Sequence, residues 1–266
     1  MFNVAVALVA WPLAPMLARL MVRLIKDDPT PEDGPKYLDQ QQLATPVLAL
    51  ANATREVLRV GDAVEKMLIS ARDAFTENNR LRLSNISGLE RQVDKLQQEV
   101  KLYLSRLNRQ ELQEDQSNRS FVIIDYAINL EHIGDIIEKG LCPQIAKKID
   151  QGLYFSKDGF AELDRLFGLT IDNLRIAQSI LVTRDFHLAR QLMEVKDEVR
   201  VMEKQSSVRH IERLRDGQVE SLQTSSLHLD ILRDLKRINA HIVSVAHPIL
   251  DESGDLMGSR LRETVK

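Results

Sequence analysis

The residues of this chain best placed for chemistry are two carboxylates one helical turn apart, Glu131 and Asp135, within Leu130-Glu131-His132-Ile133-Gly134-Asp135. Carboxylates at i and i+4 on one helix face converge on a volume where a hard cation can sit, provided a second helix brings another such pair. Glu90 and Asp94 share that spacing. Glu131, Asp135, Glu90 and Asp94 are therefore the candidate metal ligands, for an ion whose identity the sequence leaves open. The competing reading is a solvated face on which Glu90 and Asp94 pair with neighbours such as Arg91 and Lys95. A second row, Asp230, Asp234, Arg237 and His241, runs at i, i+4, i+7 and i+11. There Arg237 sits among the acids and satisfies them without a metal. His132, His187, His210, His228 and His247 lack partner spacing. No His-Glu-x-x-His zinc motif, Gly-rich phosphate loop or Gly-x-Ser-x-Gly elbow is present. Nothing resembles a nucleophile with a positioned base, so the chain reads as a binding or regulatory module and not an enzyme.

The element that positions the first pair declares itself by period. On a helical wheel Ile123, Tyr126, Leu130, Ile133, Ile137 and Leu141 form one stripe, with Asp125, Glu131, His132, Asp135 and Glu138 opposite. The same periodicity predicts helices over about 43–77, 80–112 and 114–149. After a break at Asp150-Gln151-Gly152 it predicts three more, over 160–183, 185–214 and 220–250. Segments echo one another across the break: Leu89-Glu90 to Asp94 resembles Met193-Glu194 to Glu198, at an offset of 104. Ile124-Asp125 to Ile133 resembles Leu229-Asp230 to Ile238, at an offset of 105. Two echoes at nearly one offset predict a duplicated three-helix unit. The expected fold is all-α, with tandem three-helix bundles at 43–150 and 151–250 and a flexible tail at 251–266.

Composition agrees. Of 266 residues, 44% are hydrophobic and only 5% aromatic, with few glycines and prolines, which favours long helices over sheets. A net charge of −3 with both signs interspersed offers no nucleic-acid footprint. Cys142 is the sole cysteine, which excludes an intramolecular disulfide and predicts a reducing compartment.

Met1 to Ala18 carries no charge, and the apolar run continues to Ile25 with only Arg19 and Arg23 intruding. That length is close to the ~20 residues of a membrane span. Its cations follow the run, which disfavours a cleaved signal and puts the C-terminal side in the cytoplasm. A transmembrane helix at 1–26 is the expectation, an amphipathic helix lying on the surface the alternative. Residues 27–42 hold Pro29, Pro31, Pro35 and five acids, an extended linker in composition.

A twice-repeated three-helix unit whose third helix reads Leu130-Glu131-His132-Ile133-Gly134-Asp135, then Ile136-Ile137-Glu138-Lys139, resembles the PhoU family of phosphate-signalling regulators. The likeness covers roughly Leu43 to Leu250. It implies a six-helix fold, metal bound on the motif-bearing faces at Glu131 and Asp135, and partnership with phosphate transport machinery. In the second unit Lys236 and Ala240 stand where the acid and the aspartate belong, so an equivalent second metal site is not expected. The N-terminal run resembles the last membrane helix of bacterial sodium-phosphate cotransporters, whose cytoplasmic tail is similar to PhoU. The leading expectation is a cytoplasmic regulatory domain of a sodium:phosphate symporter, held at the inner membrane beside that transporter's transmembrane part. The alternatives are a stand-alone regulator contacting a transporter or phosphate-signalling protein, and a metal-free helical adaptor. A homo-oligomer is compatible with each.

Overall fold

The computed structural model describes residues 34–252, together with Gly254, Leu256–Met257 and Arg260–Leu261. The predicted membrane helix at 1–26 lies outside the described residues, as does the first part of the predicted linker, 27–33. Among the described residues no helix is long and apolar enough to cross a membrane.

Pro46 opens α1 (Pro46–Glu77) at a position where its missing N–H costs nothing, and Asn78 closes it with a left-handed φ of 51°. The second helix is shorter than its sequence period suggested. Arg80–Leu83 close a 3-10 turn, and α2 runs Ile86–Leu107. A reciprocal capping box between Gln113 and Gln116 starts α3 (Glu114–Asp135). The chain then passes through a π turn, Ile136–Leu141, into α4 (Cys142–Asp150). Pro143 explains the widened turn, because it cannot donate the i→i−4 bond and its ring crowds the carbonyl one turn back.

The second half repeats the plan. Ser156 and Asp185 cap α5 (Lys157–Thr183) and α6 (Phe186–Arg215), accepting from the N–H groups of Gly159 and Leu188. The expected last helix is instead three pieces: α7 (Val219–Gln223), α8 (Ser225–Ile242) and α9 (His247–Glu252), with a 3-10 turn at Val243–Ala246. Pro248 accounts for the second break, since it cannot donate back to Ser244.

In the first half α1, α2 and α3 pack on one another, and in the second α5, α6 and α8 do. The halves meet where α1 lies on α5 and α3 on α8, and the buried side chains of both form one continuous core. Gly140, in the π turn, is where α8 comes nearest: an added Cβ would stand 2.6 Å from Asp234 Oδ2.

Burial fixes the internal register more firmly than the sequence echoes did. Val57, Val60, Val64, Leu68, Ala71, Ala74 and Phe75 are buried, and so is each residue 106 further on. Ile123, Tyr126, Leu130, Ile133 and Ile137 match buried residues 105 further on. On the second helix of each half the matching offset is again 106, pairing Ile86, Val93, Val100, Leu104 and Leu107 with Leu192, Val199, Ser206, His210 and Arg213. The offset of 104 read from sequence was two residues out. Glu90 corresponds to Lys196, and Asp94 to Arg200.

The described part of the predicted linker is tied to the bundle. The Lys36 and Tyr37 N–H groups donate to the buried Glu56 carboxylate at 2.9 and 2.8 Å, and the Tyr103 hydroxyl donates to Asp39 O at 3.0 Å. Residues 36–39 are thus fastened to α1 and α2. At the other end Arg184 pairs with Glu252 at 2.6 Å. Beyond it β1 (Leu256–Met257) pairs antiparallel with β2 (Arg260–Leu261).

Lys148 is 2% exposed and has no acid partner among the described residues. Its ammonium lies 4.5 Å from the Phe75 ring centroid and donates to Phe75 O and Asn78 Oδ1 at 2.5 and 2.7 Å. It thereby satisfies an orphan carbonyl at the α1 C-terminus. Burial lowers its pKa to about 8. The unfolded chain therefore binds more protons than the native one above that pH, and stability rises with pH. Between pH 8 and 9 the unfolding free energy is expected to rise by about 1 kcal/mol. From about pH 8 upward Cys142, whose thiol burial pushes up to about 12, acts in the opposite direction and offsets part of this rise. Denaturant titrations at pH 7, 8 and 9 check this, with Lys148→Met losing the rise.

Candidate functional site

The acids singled out from sequence share a face of the first half, where α2 lies against α3. The two helices approach closely at Gly134, where a Cβ would sit in ordinary contact 3.5 Å from Val93 Cγ1 of α2. Burial, then the fields of Glu138 and Asp135, raise the Glu90 carboxyl above its usual range, against the pull of Lys139. Glu90, Asp135 and Glu138 are therefore neighbours in electrostatic terms. Each of the other acids has a local partner. Asp135 receives the Lys139 ammonium at 2.5 Å, Glu131 meets His132 Nδ1 at 2.9 Å, and Asp94 accepts from Gln98 at 3.2 Å.

Among the described residues no three His, Cys, Asp or Glu side chains are gathered as a metal site requires. In this arrangement a lysine and a histidine serve the acids, and the donor set does not fit a metal ion without displacing them.

The row on α8 does not act together. Asp230 pairs with Arg233 at 2.9 Å. Asp234, 2% exposed, lies in the joint under Gly140 and takes Arg237 at 3.2 Å. His241 turns to the first half, with Nδ1 2.9 Å from Asn129 Oδ1 and its ring 5.3 Å from that of His132.

One polar cluster was not legible as a unit. Glu162 on α5 accepts from Ser206, from Arg209 Nε at 2.6 Å and twice from Arg213 at 3.3 Å. His228 Nε2 lies 3.3 Å from Ser206 Oγ, and its ring stacks on that of His210 at 4.6 Å. Burial alone would raise the Glu162 carboxyl; the hydrogen bonds from Ser206, Arg213 and Arg209 outweigh it and hold the carboxyl below its usual range. Burial, aided by His210 and Arg213, lowers the His228 pKa to about 3. These partners lie 44 to 66 residues from Glu162, and only the packing of α5, α6 and α8 brings them together. A neutral stacked histidine pair behind an arginine-bound carboxylate is structural, because its charges are already spent.

A duplicated helical triad, carrying an acid-xxx-aspartate pair on the third helix of one copy and a Lys/Ala pair in the other, defines an all-α repeat class. The model of the PhoU domain matches twice, over residues 57–141 and 163–249, and the chain belongs to the PhoU family. It is 38% identical over 253 residues to the "Putative inorganic phosphate export protein YjbB" of Salmonella typhimurium, covering 94% of this chain and 46% of that one. The Escherichia coli K12 protein of the same name is 36% identical over the same shares. The chain thus spans about half the length of these relatives, and they bear the name of an export protein, not of a sodium-phosphate cotransporter. It is also 30% identical over 146 residues to the phosphate-specific transport system accessory protein PhoU homolog 1 of Thermotoga maritima, covering 53% of this chain and 59% of that one. The fold matches the crystal structure of PhoU from Pseudomonas aeruginosa with a TM-score of 0.71 at 17% identity, over 78% of this chain and 98% of that one. PhoU from Streptococcus pneumoniae gives 0.70 at 17%, over 80% and 100%.

Proposed function

We propose that this chain is a PhoU-type regulator of phosphate transport, acting by docking on membrane phosphate-transport machinery from the cytoplasmic side and without catalysis of its own. The observation that carries the reading is the double PhoU match on a chain aligned over 94% of its length with proteins named for phosphate export. The stand-alone form of this regulator has the better support, from the match to an accessory protein of a phosphate transport system. In cells lacking the gene, net radiolabelled phosphate flux is expected to change several-fold and to be restored by the intact chain. Unchanged uptake and export in the deletion strain would end the proposal.

A second reading makes the chain the regulatory portion of a phosphate carrier such as a sodium:phosphate symporter, tethered by its apolar N-terminal run. The greater length of the relatives named for phosphate export and the charge-free stretch from Met1 to Ala18 favour it. Recovery of the full chain in the soluble fraction without detergent would remove the tether. The family's metal is testable on Glu131, Asp135, Glu90 and Asp94. Metal retained through dialysis and lost in Glu131→Ala/Asp135→Ala would mean that Lys139 and His132 are displaced; equal metal content would leave those acids to their present partners.

A further inference from the structure

We infer that the second half carries an oxyanion site, a basic pocket between α6 and α8 that takes inorganic phosphate or the phosphate group of a small molecule. The pocket is a cavity of about 190 Å³ whose lining includes Lys196, Arg200 and Lys236 against a single acid, Asp197. That is room for a tetrahedral ion. Lys236 also donates to Glu203 at 3.0 Å. Arg200 Nε is 3.9 Å from Asp197 Oδ1, beyond hydrogen-bond length. Lys196, half-buried, makes no ion pair among the described residues, and its positive field helps to depress the nearby His247. With Glu203 included, three cations face two acids, and one positive charge in a concave wall is left without a counterpart. Lys and Arg donors so placed are those that bind phosphate oxygens by charge-assisted hydrogen bonds.

The location gives an independent reason. By the burial register, Lys196, Arg200, Lys236 and Ala240 occupy the places that Glu90, Asp94, Glu131 and Asp135 hold in the first half. The acidic face of one copy is thus a basic hollow in the other. Ala240 leaves open the volume an aspartate would fill, and Lys196 and Arg200 put cations where the first half has carboxylates. A face that only needed solvation would not require both a cavity and a reversed sign at equivalent places. The site does not depend on the function proposed above, since it concerns binding to the isolated chain.

Equilibrium dialysis of the purified full chain against radiolabelled inorganic phosphate, and separately against ATP, at low ionic strength tests the site. Saturable binding of one phosphate per chain is expected, weakened about ten-fold or more in Lys196→Gln/Lys236→Gln. Ala240→Asp, which removes no existing bond, is expected to weaken it at least as much by restoring the repelling charge. Lys139→Gln in the first half should bind like the unaltered chain, and circular dichroism confirms that each variant is folded. ATP binding lost in the same variants, with no binding of free phosphate, would support the site and assign its ligand to a nucleotide phosphate. Absence of saturable binding of either ligand, or equal binding by the variants, would overturn the inference.

Discussion

Lowering the pH from 7.5 to 4.5 is expected to remove about 3 kcal/mol of folding stability through His228 alone. The folded chain keeps His228 neutral down to about pH 3 because it is buried beside His210 and Arg213, against an ordinary value of 6.5. Between those values the unfolded chain binds the extra proton, so stability falls as pH drops. His210, His241 and His247 are all depressed, in each case mainly by burial, and push the same way. Asp62, Glu90 and Asp125, raised chiefly by burial, work in the opposite sense. The clean readout is therefore a difference. Urea unfolding of the unaltered chain and of His228→Phe, compared at pH 7.5 and 4.5, should show the variant losing about 3 kcal/mol less. Parallel pH profiles would refute this account of His228.

Glu162→Ala is expected to be the most damaging single substitution among the polar residues, costing about 3–5 kcal/mol. It would leave Arg213, 7% exposed, and Ser206, 3% exposed, without the carboxylate that accepts from both. For a domain of this size the loss corresponds to about 6–20 °C in Tm. Glu162→Gln keeps the shape and an acceptor oxygen and should cost less. Adding Arg213→Met to Glu162→Ala should recover part of the loss, because the penalty lies in the abandoned buried charge. Thermal unfolding of the three variants decides the point. A double variant no better than Glu162→Ala would mean that packing, not charge, dominates there.

The helices were legible because the core is built from regular apolar stripes. Leu130, Ile133 and Ile137 face inward as their spacing requires, and both halves show the same period. What escaped was decided locally or across the chain. Pro143 and Pro248 interrupt ladders inside otherwise periodic stretches, giving the π turn and the split last helix. The register of the second helix slipped by two because Leu89-Glu90 and Met193-Glu194 look alike, whereas burial pairs Glu90 with Lys196. The candidate acids Glu131 and Asp135 lie on the expected face, but spacing carried no information about Lys139 and His132 as their partners. The Glu162 cluster draws on three helices, and no local pattern announces it. Lys236 and Ala240 were visible as departures from the family motif. That they line a hollow with Lys196 needed the tertiary packing.

The shared core of α1 and α5 also determines how far a binding event in one half can be felt. Two bundles joined by a flexible strap would open independently, and a ligand would slow amide exchange only in the half that holds it. Here the Val57 to Phe75 stripe and its counterpart on α5 belong to one cluster, so neither half exposes its interior without disturbing the other. Subglobal opening of α2 and α3 should therefore be coupled to that of α6 and α8. Free energy gained by an anion at Lys196 and Lys236 would then appear as slower deuterium uptake around Glu131 and Asp135, in the opposite half of the molecule.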